Sequence, residues 1–193
     1  MTAPSELRRA AAPSDLQRVE LAFRRLAEDL SLLFDCSVGL VEVEAQLSAR
    51  KARGEGTIHI SFKLGFQSRG LRRHGSLLVP LGEAITLASH FFALPAGELA
   101  LRRSVTELDR STKDGMLEVG HFIASAVAVG LRTASARAPA VVSEGCQGVP
   151  LGRAPSFPHE RGAELLIGRA RMEIVPFGPF DAWLMMPADL VCG

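Results

Sequence analysis

Apolar positions along the chain follow two periods, and their order predicts the architecture. From Ser14-Asp15 onward, Leu16, Val19, Phe23, Leu26, Leu30 and Leu33 recur at helical spacing with Arg and Glu between them, a first helix ending near Phe34-Asp35. The period then drops to two. Val41, Val43, Ala45 and Leu47 alternate with Glu42, Glu44 and Gln46. After a Gly-containing connection over 48–56, Ile58, Ile60, Phe62 and Leu64 share one face of a strand over 57–64. A turn over 68–74 leads to a third strand, Gly75–Leu81, and three strands on short links suggest an antiparallel meander. A short helix follows over 83–92 with Ala84, Leu87, Ala88 and Phe91 inward, and Ala93–Gly97 breaks it. After a polar lead, one long helix begins near Ser111. A strand follows over 138–145, then an unpatterned stretch over 147–162 read as a long exposed, mobile loop. Two strands, 163–175 and 180–186, close the chain through Pro176-Phe177-Gly178-Pro179. No internal repeat is visible. Strands and helices come in groups, which predicts an α+β fold: an antiparallel sheet with long helices packed on one face. Residues 1–13 read as a flexible tail and 14–193 as a single domain.

The long helix is unlike the others. Ser111 or Thr112 can cap it, and Asp114 and Glu118 lie near the end where the helix dipole favours negative charge. From Phe122 to Leu131 it is nearly all apolar or small, as a buried helix is. The polar exceptions are Asp114, Glu118, His121 and Ser125, spaced four, three and four apart, which places them in one stripe. Two carboxylates, an imidazole and a hydroxyl form a stripe of chemistry rather than a solvated face of Lys, Arg and Gln.

Composition narrows the classes. The 193 residues carry 22 Lys and Arg against 21 Asp and Glu, so no electrostatic case exists for nucleic-acid or membrane-surface binding. No unbroken apolar run reaches about 18 residues, so no membrane insertion is expected, and no apolar leader segment follows Arg8-Arg9. Cys36, Cys146 and Cys192 fit neither a zinc pattern nor a disulfide framework, and a reducing cytoplasm is the simplest setting. His59 reads as solvent-facing on a strand, His90 as a helix-surface residue and His159 as a loop residue; no ligand spacing suggests a metal.

Four features in sequence order resemble the CheC/CheX/FliY group of chemotaxis phosphatases. They are Gly75–Leu81 running into a small helix, the long helix with Asp114, Glu118 and position 121, the strand Ala138–Gly145 entered through Pro139, and the closing hairpin ending in Phe180–Met186. One signature helix plus an added N-terminal helix looks more like CheX than CheC. The resemblance implies hydrolysis of the aspartyl phosphate on a CheY-like receiver domain. Mg²⁺ is held by the partner and the phosphatase needs no cofactor of its own. It also implies a homodimer, as does the apolar edge that the strands of 163–186 would otherwise expose. It assigns Glu118 to the partner's lysine and position 121 to the attacking water, with Asp114 in support. The family has Asn where this chain has His121. A neutral imidazole offers one donor and one acceptor, enough to hold a water, but it is larger than an amide and changes charge near neutrality. Three readings stand: an active phosphatase using Glu118 and His121, a non-catalytic binding or scaffold protein of the same fold with a degenerate site, and a structural module. In the plainest alternative, Glu118 and His121 merely satisfy each other at a helix–sheet boundary, Asp114 is a first-turn acid, and Ser125 bonds its own backbone.

Overall fold

In a computed structural model describing residues 9–34, 36–92 and 96–192, the chain runs β1 (Arg9–Ala10), α1 (Pro13–Phe34), β2 (Val38–Ser48), β3 (His59–Ser68), β4 (Leu71–Pro80), α2 (Leu81–His90), α3 (Ala96–Arg102), α4 (Arg110–Ala134), β5 (Ala140–Val149), β6 (Leu165–Ile174), β7 (Gly178–Pro187) and α5 (Ala188–Val191). All strand pairs are antiparallel, in the order β1-β2-β6-β7-β4-β3-β5. The α+β class holds, with α1, α2 and α4 on one face of the sheet. Their buried side chains meet Ile60, Phe62, Leu64, Phe66, Leu77 and Val79 in the main core.

The expected meander is not what forms. β2 pairs with β6 and β1, and of the first three long strands only β3 and β4 make a hairpin, closed by Arg69 and Gly70 at φ 48° and 79°. Positive φ at both turn positions is what a tight two-residue hairpin requires. The turn is thus shorter than 68–74. The link from Ser48 to His59 does not return the chain beside β2; it crosses to the helix-free face. The segment after β5 does the same. There Phe157, 6% exposed, joins Leu78, Val149, Leu165, Ile167 and Met185 in a second small core. Lys51 clasps that segment: its Nζ donates to the carbonyls of Pro155 (3.2 Å) and Phe157 (2.6 Å) and sits 3.9 Å from the Phe157 ring centroid. The stretch read as a mobile exposed loop is an anchored cover, and its first residues, 147–149, belong to β5.

Other expectations shift for local reasons. Arg9 and Ala10, assigned to the tail, pair with Leu47 and Gln46, and residues 1–8 lie outside the described residues, as do Asp35 and the breaker residues 93–95. α1 buries Ala22, Ala27 and Phe34, while Leu16 and Leu33 are exposed. A bulge between Leu40 and Glu42 turns Val41 out to 63% exposure. The helix α3 was not expected. The closing hairpin β6–β7 lies inside the sheet, so it leaves no apolar edge; among the described residues the free edges are β5 and most of β2. α4 is long and apolar enough by composition to cross a membrane, but it is a core helix packed against α1, α2 and β5, with 61% of its apolar window buried.

The order α-β-β-β-α occurs twice, as α1-β2-β3-β4-α2 and α4-β5-β6-β7-α5, and the strands of the two halves interleave about the β7–β4 junction. A shift of 97, from Asp15 to Thr112, carries each buried residue of α1 onto a buried residue of α4: Val19 onto Met116, Ala22 onto Val119, Phe23 onto Gly120, and so on to Phe34 onto Leu131. The repeat is one of burial, not of residue identity.

β3 is covered on both faces, so His59 is 1% exposed rather than solvent-facing. Its Nδ1 is 2.9 Å from the Thr57 carbonyl, its Nε2 is buried without a partner, and its ring meets Trp183 edge-on at 5.6 Å. Burial pushes the His59 imidazole below the ordinary histidine range, against the opposing Thr57 bond and Glu83 charge; burial also lowers His90, which stacks on Phe34 rather than standing free on the helix surface. A depressed imidazole pKa means the unfolded chain binds protons that the folded chain refuses. Stability is therefore complete above the unfolded value of about 6.5 and declines as pH falls below it. The urea midpoint at pH 5.5 is expected below that at pH 7.5, and equal midpoints would contradict this.

Candidate functional site

α4 starts at Asp109, not at Ser111 or Thr112. The Asp109 carboxylate accepts from the Thr112 amide (2.7 Å) and the Ser111 hydroxyl (2.9 Å). These bonds, the Thr112 amide first, hold the Asp109 carboxyl down at about 2. Three cap-forming residues stand close together here, and the earliest wins; Thr112 is buried instead. The cap fixes where α4 begins, and the packing of its apolar face fixes its rotation. Met116, Val119, Ile123 and Val127 point into the core, Gly120 faces Ser143 and Phe62, and Asp114, Glu118, His121 and Ser125 all face solvent.

The stripe read from the sequence is thus one exposed line along α4. Glu118 and His121 stand one turn apart, and neither bonds or ion-pairs with any other described residue. They do not satisfy each other at a sheet boundary. Asp114 has only a long, exposed contact of 3.9 Å with Arg110, worth little.

Sequence reasoning missed the apolar margin of this line. Leu117 (42% exposed) and Phe122 (36%) flank the polar pair. Phe122 stacks on Phe91 at 5.9 Å, and Phe91 meets the buried Phe34 edge-on at 5.2 Å. Phe91, expected inward, is 37% exposed. The ledge is therefore wedged in place from below. Contiguous exposed aromatic surface of this kind marks a contact surface. The signal available in the sequence was Leu117 and Phe122 themselves, each next to a residue of the polar line on an otherwise inward-turned apolar helix.

The counterpart surface on α1 lacks this chemistry. At the shift of 97, Glu118 and His121 fall on Leu21 and Arg24. Of the two matching helices, only α4 carries such a stripe. The loop over 150–162 is anchored on the opposite side of the sheet, leaving the stripe uncovered by it. Among the described residues no three His, Cys, Asp or Glu side chains gather as a metal site. The thiols are half-buried; burial raises Cys146, and burial with the neighbouring Asp15 raises Cys192 to about 12, which disfavours thiolate chemistry.

No protein-family model matches the sequence, and no curated protein matches it. Solved structures do. FliY from Thermotoga maritima matches with TM-score 0.66 at 15% identity, covering 94% of each chain. The FliM middle domain from H. pylori matches with TM-score 0.60 at 8% identity over 94% of this chain and 96% of that one. CheX from Vibrio vulnificus matches with TM-score 0.55 at 14% identity over 87% and 96%. The chain has the fold of the CheC/CheX/FliY group, which FliM middle domains share.

Proposed function

We propose that this chain is a chemotaxis-type phosphatase that hydrolyses the aspartyl phosphate of a CheY-like receiver domain. One observation carries the reading: an acid and an imidazole, one helical turn apart, exposed and unengaged, beside a rigid apolar ledge. The fold shared with CheX and FliY supplies the frame, and the surface supplies the argument.

In this reading the ledge of Leu117, Phe122 and Phe91 seats against the receiver and brings the α4 stripe over its phosphorylated aspartate. Glu118 pairs with the receiver's active-site lysine. One ring nitrogen of His121 accepts a hydrogen bond from a water and aims its oxygen at phosphorus, in line with the aspartyl oxygen. The P–O bond to aspartate breaks, and inorganic phosphate and a free carboxylate leave. Mg²⁺ belongs to the receiver, and this chain brings no cofactor. Phosphoryl transfer of this type asks mainly for positioning and charge placement, which two side chains on a rigid helix supply. Asp114, a turn before Glu118, adds negative field in support.

The second reading is a receiver-docking or scaffold protein without turnover. His121 in place of Asn favours it, since the ring is bulkier in the same cleft. H. pylori FliM, of the same fold, is known in complexes with FliG and with SpeE, so the fold serves as a docking platform there. A cytoplasmic setting and a homodimer belong to the proposal too; the dimer would use a free strand edge, β5 or β2.

The experiment is phosphate release from a receiver domain charged with acetyl phosphate and Mg²⁺, with and without this protein, using the receiver from its own genome. Acceleration over spontaneous decay supports the phosphatase. Binding by calorimetry without acceleration leaves the scaffold reading, and neither result would remove both. Light scattering of the same sample reads the oligomeric state.

A further inference from the structure

On the sheet face opposite α4, a groove of about 1470 Å³ opens over β2, β6 and β7. We infer that it is a docking channel for an extended acidic peptide segment of a partner protein, separate from the receiver site.

The groove is built rather than incidental. Glu44, Arg169 and Trp183 stand in one register row across three strands and form its floor, with Ile167 beside them. One wall is the β2–β3 connection. It is fixed at Ala52, whose amide reaches Met185 Sδ at 3.3 Å, and at Lys51 through its carbonyl partners. It is fixed again at Gly54, where a Cβ would lie 2.2 Å from the His59 ring. The other wall is the turn at Arg161 and Gly162, continuing to Glu164, whose carbonyl accepts from the Ala188 amide.

Size and lining choose the occupant. Small-molecule sites run to about 300–1,000 Å³ and are mainly apolar. This groove is larger, open and charged, the shape of a channel for chain rather than a pocket for a compact ligand. Five cationic side chains line it against three carboxylates. Arg169 is taken up by Asp181 at 2.8 Å and Glu44 at 3.8 Å, and Glu164 lies 3.4 Å from Arg9, which is not a lining residue. Arg53 and Arg161, both exposed, have no ion-pair partner among the described residues. They offer forked guanidinium donors to carboxylates of an incoming chain. Trp183, partly exposed in the floor, offers an apolar surface for one side chain of that segment.

Trp183 is the only tryptophan, so its fluorescence reports on the groove alone. The probe is a fluorescein-labelled peptide of alternating Asp and Glu around one central Phe, with a control in which every acid is its amide. The acidic peptide is expected to bind and to change Trp183 emission at the same concentrations. Its affinity should fall about tenfold as salt rises from about 0.05 to 0.3 M, because exposed charge contacts are screened. Arg53→Glu with Arg161→Glu should weaken binding at least about tenfold, as like charges replace the guanidinium contacts. The milder pair Arg53→Gln with Arg161→Gln should lie between. Both pairs should leave receiver phosphate release unchanged, and Glu118→Ala should leave peptide binding unchanged, so the two sites fail independently. Equal binding of the amide control, no binding below about 1 mM, indifference to charge reversal, or tighter binding of a single-stranded RNA oligomer would overturn the proposal.

Discussion

Placing a valine at Gly130 is expected to lower the melting temperature by roughly 6–12 °C, the largest stability effect of any single exchange considered. A Cβ at this position would lie 2.6 Å from Ala22 Cα, 2.7 Å from the Leu21 carbonyl oxygen and 2.8 Å from the Ala22 amide nitrogen. These are backbone atoms of α1, which cannot rotate aside as a side chain would. The helices α1 and α4 would have to part, and Val19, Phe23 and Leu26 would lose contact with the core they share with α4. Overpacking alone costs about 1–3 kcal/mol, and the opened interface adds to it. At roughly 2–4 °C per kcal/mol for a chain of this size, about 3 kcal/mol gives the stated range. Helix propensity points the other way, since replacing a mid-helix glycine by alanine gains about 1 kcal/mol where space allows. Two alanine variants separate the effects. Gly97 in α3 has nothing within 4 Å of its would-be Cβ, so Gly97→Ala should be neutral or stabilising. Gly130→Ala should destabilise despite its better propensity. Thermal unfolding of the three variants decides the matter, and a Gly130→Ala protein as stable as its parent would refute the close crossing.

That crossing also explains where the sequence was readable and where it was not. Leu and Phe at helical spacing announced α1, but the helix turned out rotated toward Ala22, Ala27 and Phe34. Small residues carry almost no hydrophobic signal, yet Ala22 opposite Gly130 sets how near the two helices come. Strict alternation found β3, and alternation then misled about His59, because β3 is buried on both faces. Its polar side is only partly satisfied internally: Ser61 and Ser76 hydroxyls, both fully buried, bond each other at 2.6 Å, while His59 Nε2 has no partner among the described residues. Strand partners were not legible, since β2 pairs with β6, more than a hundred positions further on, and a local pattern of alternation carries no mark of its partner. The duplication was hidden for the same reason: what repeats between α1 and α4 is burial, and unrelated residues can be buried alike. α3 spans seven residues, too few for a period to show. The α4 stripe was legible because its polar residues interrupt an otherwise apolar helix; the spacing put them on one face, and the structure turns that face to solvent.

At the stripe, removing the His121 imidazole is expected to return receiver dephosphorylation to near its spontaneous rate, while removing the Glu118 carboxylate weakens docking as well. The difference follows from what each group would touch. In the proposed reaction Glu118 would meet a lysine that is present before and during reaction, so Glu118→Ala should remove uniform binding and raise KM for the phosphorylated receiver. His121 would act on a water that is ordered only as phosphorus is attacked, so His121→Ala should lower kcat and leave KM nearly unchanged. Positioned groups of this kind supply about 10²–10⁴-fold, so a residual acceleration under about tenfold is expected in His121→Ala. Neither side chain bonds or ion-pairs with another described residue, so both variants should fold as the parent does, and unchanged circular dichroism and melting temperature verify that. His121→Asn is the decisive exchange. If imidazole orients the water, the smaller amide leaves it farther from phosphorus and the rate drops. A rate that rises instead identifies the natural chain as a docking protein whose site has drifted from turnover. Equal rates for the parent, His121→Ala and His121→Asn would show that the imidazole has no part in the reaction, and with it the phosphatase reading would lose its water-holding group.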